Sequence, residues 1–214
     1  MYTPRHFEET RLDVMHALIA ANPFGAMVRV GPNGMDADHL PFEIAAPSSA
    51  APQGTLRAHV ARGNPVWREA GAEVLVMFAS PSSYVSPEFY EQKTRTGKVV
   101  PTWNYAVVHA HGRLRVLDDP VWLRSLVERL TDRHEAGRSH PWRVADAPDD
   151  YIDTMLKAIV GIEIPIGKIE GKWKISQNRS EADQSRVAAG LVAEEQPLGS
   201  LMQAWAARKP EPPK

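Results

Sequence analysis

The stretch Tyr105-Ala106-Val107-Val108-His109-Ala110-His111-Gly112-Arg113-Leu114-Arg115-Val116 carries the longest strand signal in the chain. Ala106, Val108, Ala110, Leu114 and Val116 fall on one face, with Gly112 among them. Tyr105, Val107, His109, His111, Arg113 and Arg115 fall on the other, the period-two pattern of a half-buried strand. Working outward, Val74–Ala79 is apolar on both faces and predicts a central strand. Thr55–Ala61 alternates again, Leu56, Ala58 and Val60 opposing Arg57 and His59. Further strands are expected over Phe24–Val30, Leu40–Ala45 and Val160–Ile169, where Pro165 suggests an edge or a bulge. Gly31-Pro32-Asn33-Gly34 reads as a turn, with Gly34 free to take positive φ.

Helices are expected around these strands. Residues 8–21 carry the stripe Leu12, Met15, Ile19. Asn64 precedes a proline that can open a short helix, Ser86-Pro87 opens a polar one to about Thr96, and Asp119-Pro120 opens one with the stripe Trp122, Leu126, Leu130. Others start near Asp149 and after Ser180, whose hydroxyl and Asp183 suit a capping box. Strands follow one another without regular helical crossovers. The fold class is therefore α+β, antiparallel and barrel-like, with peripheral helices. Residues 1–192 are expected to form one domain and 193–214 a last helix with a frayed tail at Pro210–Lys214.

Composition narrows the function. The 214 residues include no cysteine and eight histidines. Disulfides, thiolate zinc sites, iron–sulfur clusters and cysteine nucleophiles are excluded. Lys and Arg total 25 against 26 Asp and Glu, a net charge of −1, so no global field pulls the chain onto nucleic acid or an anionic membrane. No apolar run approaches the ~20 residues of a membrane helix, and acids occupy the place of a signal peptide's apolar core, so the expected address is the cytoplasm. No Rossmann glycine fingerprint, P-loop, G-x-S-x-G elbow or H-E-x-x-H is present, nor a helix with Arg and Lys along one face.

Five constellations could carry chemistry. Asp36-Ala37-Asp38-His39-Leu40-Pro41-Phe42 could aim its polar residues at a ligand or be a solvated hairpin entry. In Arg57-Ala58-His59-Val60-Ala61-Arg62-Gly63-Asn64-Pro65, a strand with Arg and His on one face runs into Arg62 and a helix start, which suits a phosphate. The plainer reading is two exposed arginines and a helix cap. In Lys98-Val99-Val100-Pro101-Thr102-Trp103-Asn104-Tyr105, Trp and Tyr could wall a flat aromatic ligand while Asn and Thr bond its polar edge, or the aromatics could be packing at a strand start. His109 and His111 share a face but lack a third metal ligand, so a polar sheet face is favoured and no metal is expected; His134 reads as a helix-end histidine. Gly171-Lys172-Trp173-Lys174-Ile175-Ser176-Gln177-Asn178-Arg179 could grip an anionic aromatic ligand or be a basic surface strand.

Taken together, Asp38-His39-Leu40-Pro41, the His59–Pro65 stretch, Gly97–Tyr105, Leu130–Glu135 and Glu170–Arg179 resemble the PaiB family of FMN-binding negative transcriptional regulators; the start Met1–Phe7 is also similar. The resemblance runs from residue 1 to about 192. It implies an FMN-binding split β-barrel of antiparallel, Greek-key-like build, usually a homodimer with FMN in a cleft between two barrels. By position, His39, Leu40 and Pro41 would lie along the isoalloxazine, and Arg57, His59, Arg62 and Asn64 near the phosphate. Thr102, Trp103, Asn104, Tyr105, Lys174 and Gln177 would complete the cleft. No positioned acid or base nominates a catalytic step. Two functions stay open: a flavin-binding regulator acting on DNA or through a partner, and a flavin-dependent oxidoreductase of the split-barrel group, pyridoxamine-phosphate-oxidase-like, flavin-reductase-like or haem-degrading. The charge speaks against direct DNA binding.

Overall fold

Alternation governs the strands. The residues that bury along Phe24–Gly31 are Gly25, Met27 and Arg29, and along Thr102–Arg113 they are Asn104, Ala106, Val108 and Ala110, every second position in each case. In a computed structural model, residues 1–31 and 34–207 are described; Pro32 and Asn33 of the expected turn and the expected tail from Pro210 lie outside them. In chain order the elements are β1 (Glu8–Glu9), α1 (Leu12–Ala21), β2 (Phe24–Gly31), β3 (Gly34–Pro41), β4 (Glu43–Ala45), β5 (Thr55–Ala61), β6 (Glu73–Ala79), β7 (Ser83–Val85), α2 (Gln92–Thr96), β8 (Thr102–Arg113), β9 (Arg115–Leu117), α3 (Pro120–Glu135), α4 (Asp149–Lys157), β10 (Ile159–Lys174), α5 (Glu181–Ala193) and α6 (Pro197–Ala206). The α+β expectation holds. The chain divides into two units, a central one of Ile19–Phe78 and His109–Ile169, and a terminal one of Met1–Leu18, Ala79–Val108 and the chain from Glu170.

The central unit holds most of the sheet, whose strand order is β3-β2-β6-β8-β10-β5-β4. β2 pairs antiparallel with β3 and with β6, and β5 with β4 and with β10. Met27, Phe42, Leu56, Ala58, Val60, Val76 and Phe78 form its interior, all essentially shielded from water. Each large apolar side chain buried this way contributes roughly 1.5–3 kcal/mol. Asp119 caps α3 by accepting from the Val121 amide at 2.9 Å, as its sequence position predicts. Outside the sheet, Leu123 of α3 packs with Val144 and with Ile152 and Leu156 of α4, so the two helices share a small apolar cluster.

β10 is longer than expected and central, lying between β8 and β5, although Pro165 stands in it. Proline supplies no amide hydrogen to a ladder. The accommodation is local. A Cβ on Gly112 would lie 2.4 Å from the Pro165 carbonyl oxygen, so only glycine lets the backbones approach there. The β2–β3 hairpin also starts earlier than expected, at Gly34, which takes φ +104°.

In the terminal unit, Glu8–Glu9 is a strand and not the start of a helix; it pairs antiparallel with Lys172 and Gly171 of β10. A buried carboxylate explains the helix's later start. Glu9 accepts from the Arg11 amide at 2.8 Å and from its guanidinium at 2.6–2.9 Å, holding the chain extended before α1 begins. The polar helix expected over 87–96 is broken into a single turn at Pro87–Phe89 and the short α2. Val187 and Leu191 of α5 and Leu198 and Met202 of α6 are buried. Ser180 caps α5 by accepting from the Asp183 amide at 3.2 Å.

Candidate functional site

The central unit carries one group of the expected site residues. His39 and Pro41 are exposed on β3 and Leu40 is half-buried; the His39 ring lies 6.1 Å from that of Phe24. Asp38, directly before His39, belongs to a charge network. Arg29, 5% exposed, bonds Asp38 and Glu69, each at 3.0 Å, and lies 3.2 Å from Asp36. Burial opposes the Arg29 charge, but Glu69, Asp38 and Asp36 outweigh it and hold the guanidinium above its ordinary value. Asp38 also accepts from Asn64 Nδ2 at 2.6 Å, while Asn64 Oδ1 caps the turn at Pro65–Arg68 through the Val66 amide at 2.9 Å.

Both expected phosphate arginines of this unit already have carboxylate partners. Arg57 donates to Glu163, its neighbour in the β5–β10 register, at 2.7 Å. Arg62 makes a fork to Asp118 at 2.6 and 3.0 Å and donates to the carbonyls of Lys157 and Ile159. The bond to Asp118 raises the Arg62 pKa, and the same bond lowers that of Asp118. Asp118 and Glu163 lie 56 and 106 residues away in sequence, beyond any local motif.

His59, opposite Gly161 in the ladder, has a sealed Nδ1 with no hydrogen-bond partner. Burial lowers its pKa, so the folded chain keeps the ring neutral. The unfolded chain then binds the proton more readily, and stability is complete above histidine's ordinary value of 6.5 and lost as pH falls below it. Thermal melts from pH 7.5 to 5.5 should show the wild type losing stability and His59→Gln losing less. Equal slopes for the two proteins would show that His59 does not set this dependence.

The terminal unit carries the other group. Thr102 and Asn104 face one side of β8, and Trp103 and Tyr105 the other. Lys174 donates to Thr102 Oγ1 and to the Trp103 carbonyl, and its ammonium lies 6.0 Å from the Tyr105 ring centroid, with Lys172 at 5.5 Å. Burial first, then the Lys172 charge, lowers the Lys174 pKa. Thr102, Asn104 and Lys174 thus line one pocket of about 110 Å³. Gln177 is not among its walls; its amide closes the local turn, accepting from the Ile175 amide and donating to the Trp173 carbonyl. Beside these residues, Trp103 and Tyr84 form an edge-to-face pair at 6.2 Å, 56% and 50% exposed. Two large rings at the surface suit a flat, aromatic ligand.

The same pocket includes Ser176 and Arg179 of the basic run, which were not among the expected cleft contacts, and Tyr90, which no sequence motif singled out. Arg179 ends the basic run already quoted, and its neighbours Lys174 and Gln177 were the signal for it. Tyr90 sits in a polar stretch with no signal of its own. Elsewhere, His111 lines a separate cavity of about 650 Å³ in the central unit, with Arg29, Arg113 and Arg115. Among the described residues, no three His, Asp or Glu side chains are grouped to hold a metal.

The fold is that of flavin-binding split-barrel proteins. It matches the FAD and heme binding protein from Mycobacterium smegmatis with a TM-score of 0.59 at 20% identity, over 86% of this chain and 80% of that one. The flavocytochrome Anf3 from Azotobacter vinelandii matches at 0.58 with 11% identity, over 85% and 77%. Residues 1–168 match the family model FMN_bind_2, described as "Putative FMN-binding domain", and the chain belongs to this family. A Bacillus subtilis relative, "Protease synthase and sporulation protein PAI 2", is 33% identical over 94% of both chains, in keeping with the PaiB resemblance. An uncharacterized protein of Emericella nidulans is 34% identical over 89% of this chain and 90% of its own. The cofactor is a flavin, in accord with FMN. The residues present fit such a group: exposed aromatic surface, a cationic pocket, and a buried Tyr90 hydroxyl without a partner. Among the described residues, no helix is long and apolar enough to cross a membrane.

Proposed function

We propose that this chain is an FMN-binding negative regulator of transcription, with the flavin in a cleft closed by a second copy of the chain. The observation that carries the flavin placement is the exposed Trp103–Tyr84 pair, on the strand whose Trp103 carbonyl accepts from Lys174. The bound flavin supplies whatever redox chemistry occurs, and the protein's part is to place the ring and anchor its charged end. His39, Leu40, Pro41, Arg57, His59, Arg62 and Asn64 stand as proposed flavin contacts of the central unit, each open to test by its own variant. Phe24, Val30 and Met35 are exposed on β2 and β3 and give a second copy apolar surface to cover.

The regulatory part draws on the Bacillus subtilis relative, which is named for protease synthesis and sporulation. Direct DNA reading has little physical support. α6 contains no Lys or Arg, and α5 with the turn after it holds Glu181, Asp183, Glu194 and Glu195 against Arg186. That helical pair offers few phosphate contacts, so the proposal routes regulation through a protein partner. The test is a comparison of transcript levels in cells lacking the chain and in cells complemented with wild type or Trp103→Ala. A set of transcripts should rise on loss and be restored by wild type alone. A profile unchanged by loss of the chain contradicts the regulator. Sedimentation equilibrium of the FMN-loaded protein should give a dimer, and a monomer contradicts the shared cleft.

A further inference from the structure

We infer that the small pocket of the terminal unit, formed by Tyr90, Thr102, Asn104, Lys174, Ser176 and Arg179, is an oxyanion site built for a phosphate monoester. The inference rests on the flavin reading for one point only, that the monoester is the phosphate end of FMN.

The volume, about 110 Å³, equals some three to four waters at ~30 Å³ each, which is room for a tetrahedral oxyanion. No carboxylate lines it. Lys174 and Arg179 form no ion pair among the described residues; Lys174 has a hydroxyl and a carbonyl for partners, and the Arg179 guanidinium stacks 4.8 Å from the Tyr90 ring centroid. Arg57 and Arg62 contrast with them, since each already meets an acid. Two half-buried cations without a counter-charge cost free energy that a bound anion returns.

The neutral groups point the same way. Tyr90 is 2% exposed, and its hydroxyl is buried without a partner. A buried hydroxyl normally finds one, and a phosphate oxygen supplies it. Asn104 donates to Ser176 Oγ at 2.9 Å, which orients the Ser176 hydroxyl. Ser176 is held at φ +69°, uncommon for a residue other than glycine, at the turn that brings Arg179 back to the pocket through its amide bond to the Ser176 carbonyl. The Lys174 ammonium, disfavoured by burial and by Lys172, is favoured again once an anion sits beside it.

The test titrates the full-length chain with FMN, with riboflavin, which lacks the phosphate, and with inorganic phosphate. Wild type should bind FMN more tightly than riboflavin, and phosphate should compete with FMN while sparing riboflavin. Lys174→Gln should weaken FMN about 10- to 100-fold, the range of a lost charge-assisted bond, and leave riboflavin within about two-fold. Tyr90→Phe should weaken phosphate about two- to ten-fold while leaving the melting temperature of the free protein unchanged or raised, the opposite of what loss of a structural hydroxyl would do. Equal losses for FMN and riboflavin, or FMN and riboflavin affinities that match in the wild type, overturn the site. If no flavin binds yet phosphate still raises the melting temperature of wild type and not of Lys174→Gln, the oxyanion site stands and the flavin reading fails. If phosphate raises neither, the oxyanion site fails.

Discussion

Phe42→Ala is expected to lower the unfolding free energy by about 3–5 kcal/mol, the range for removing a fully buried aromatic ring. Phe42 has no exposed surface and meets Phe78, equally buried, edge to face with centroids 5.7 Å apart. Its amide also donates to the Pro23 carbonyl at 2.8 Å, tying the end of the β2–β3 hairpin to the residue that precedes it. The ring therefore pins the chain directly after His39, Leu40 and Pro41. Urea unfolding should show the midpoint falling with the slope little changed. Phe42→Leu, which keeps most of the volume, should lose much less. A loss below about 1 kcal/mol for the alanine variant would mean that the core closes over the gap and that Phe42 does not anchor the hairpin.

Arg29→Met is the second large effect, expected at about 2–4 kcal/mol, below the full cost of breaking a buried pair because Asp36 is largely exposed. Removing the guanidinium leaves Asp38 and Glu69 without their cation and beside each other's charge. The consequence passes to Asn64, whose amide depends on the same Asp38 carboxylate. Asp38→Asn added to Arg29→Met should therefore lose less than the two single losses combined, because it removes a carboxylate already stripped of its partner. Strict additivity would show that the network is not coupled.

Much of this fold is legible one residue at a time. The alternation of Ala106, Val108 and Ala110 marks β8, Val74–Ala79 marks a central strand, and Asn64, Asp119 and Ser180 mark helix starts. What escapes the sequence is whatever depends on a distant partner. Glu8–Glu9 is a strand only because Gly171 and Lys172 offer it a ladder. The first half of β3 is too polar to read as a strand, and buried Arg29 gives its acids their place. Pro165 stands in a central strand, and its carbonyl approaches Gly112 too closely for any other residue there.

The site divides in the same way. Thr102, Asn104 and Lys174 come from two motifs that sequence singled out, and they meet in one pocket. The charge balance was not legible. Sequence leaves Arg57 and Arg62 as phosphate ligands or exposed arginines, and the structure sets Glu163 and Asp118 beside them; it leaves Lys174 and Arg179 as part of an anion grip or a basic surface strand, and the structure sets them around a pocket that no carboxylate lines. Which cations are already neutralised is a property of tertiary structure.

The most direct measurement for the account is equilibrium dialysis of the full-length chain against FMN, with bound flavin counted per chain. Saturable uptake approaching one FMN per chain, weakened by Trp103→Ala, is the predicted result. A chain that retains no flavin at saturating FMN, or one whose uptake is indifferent to Trp103, would contradict it.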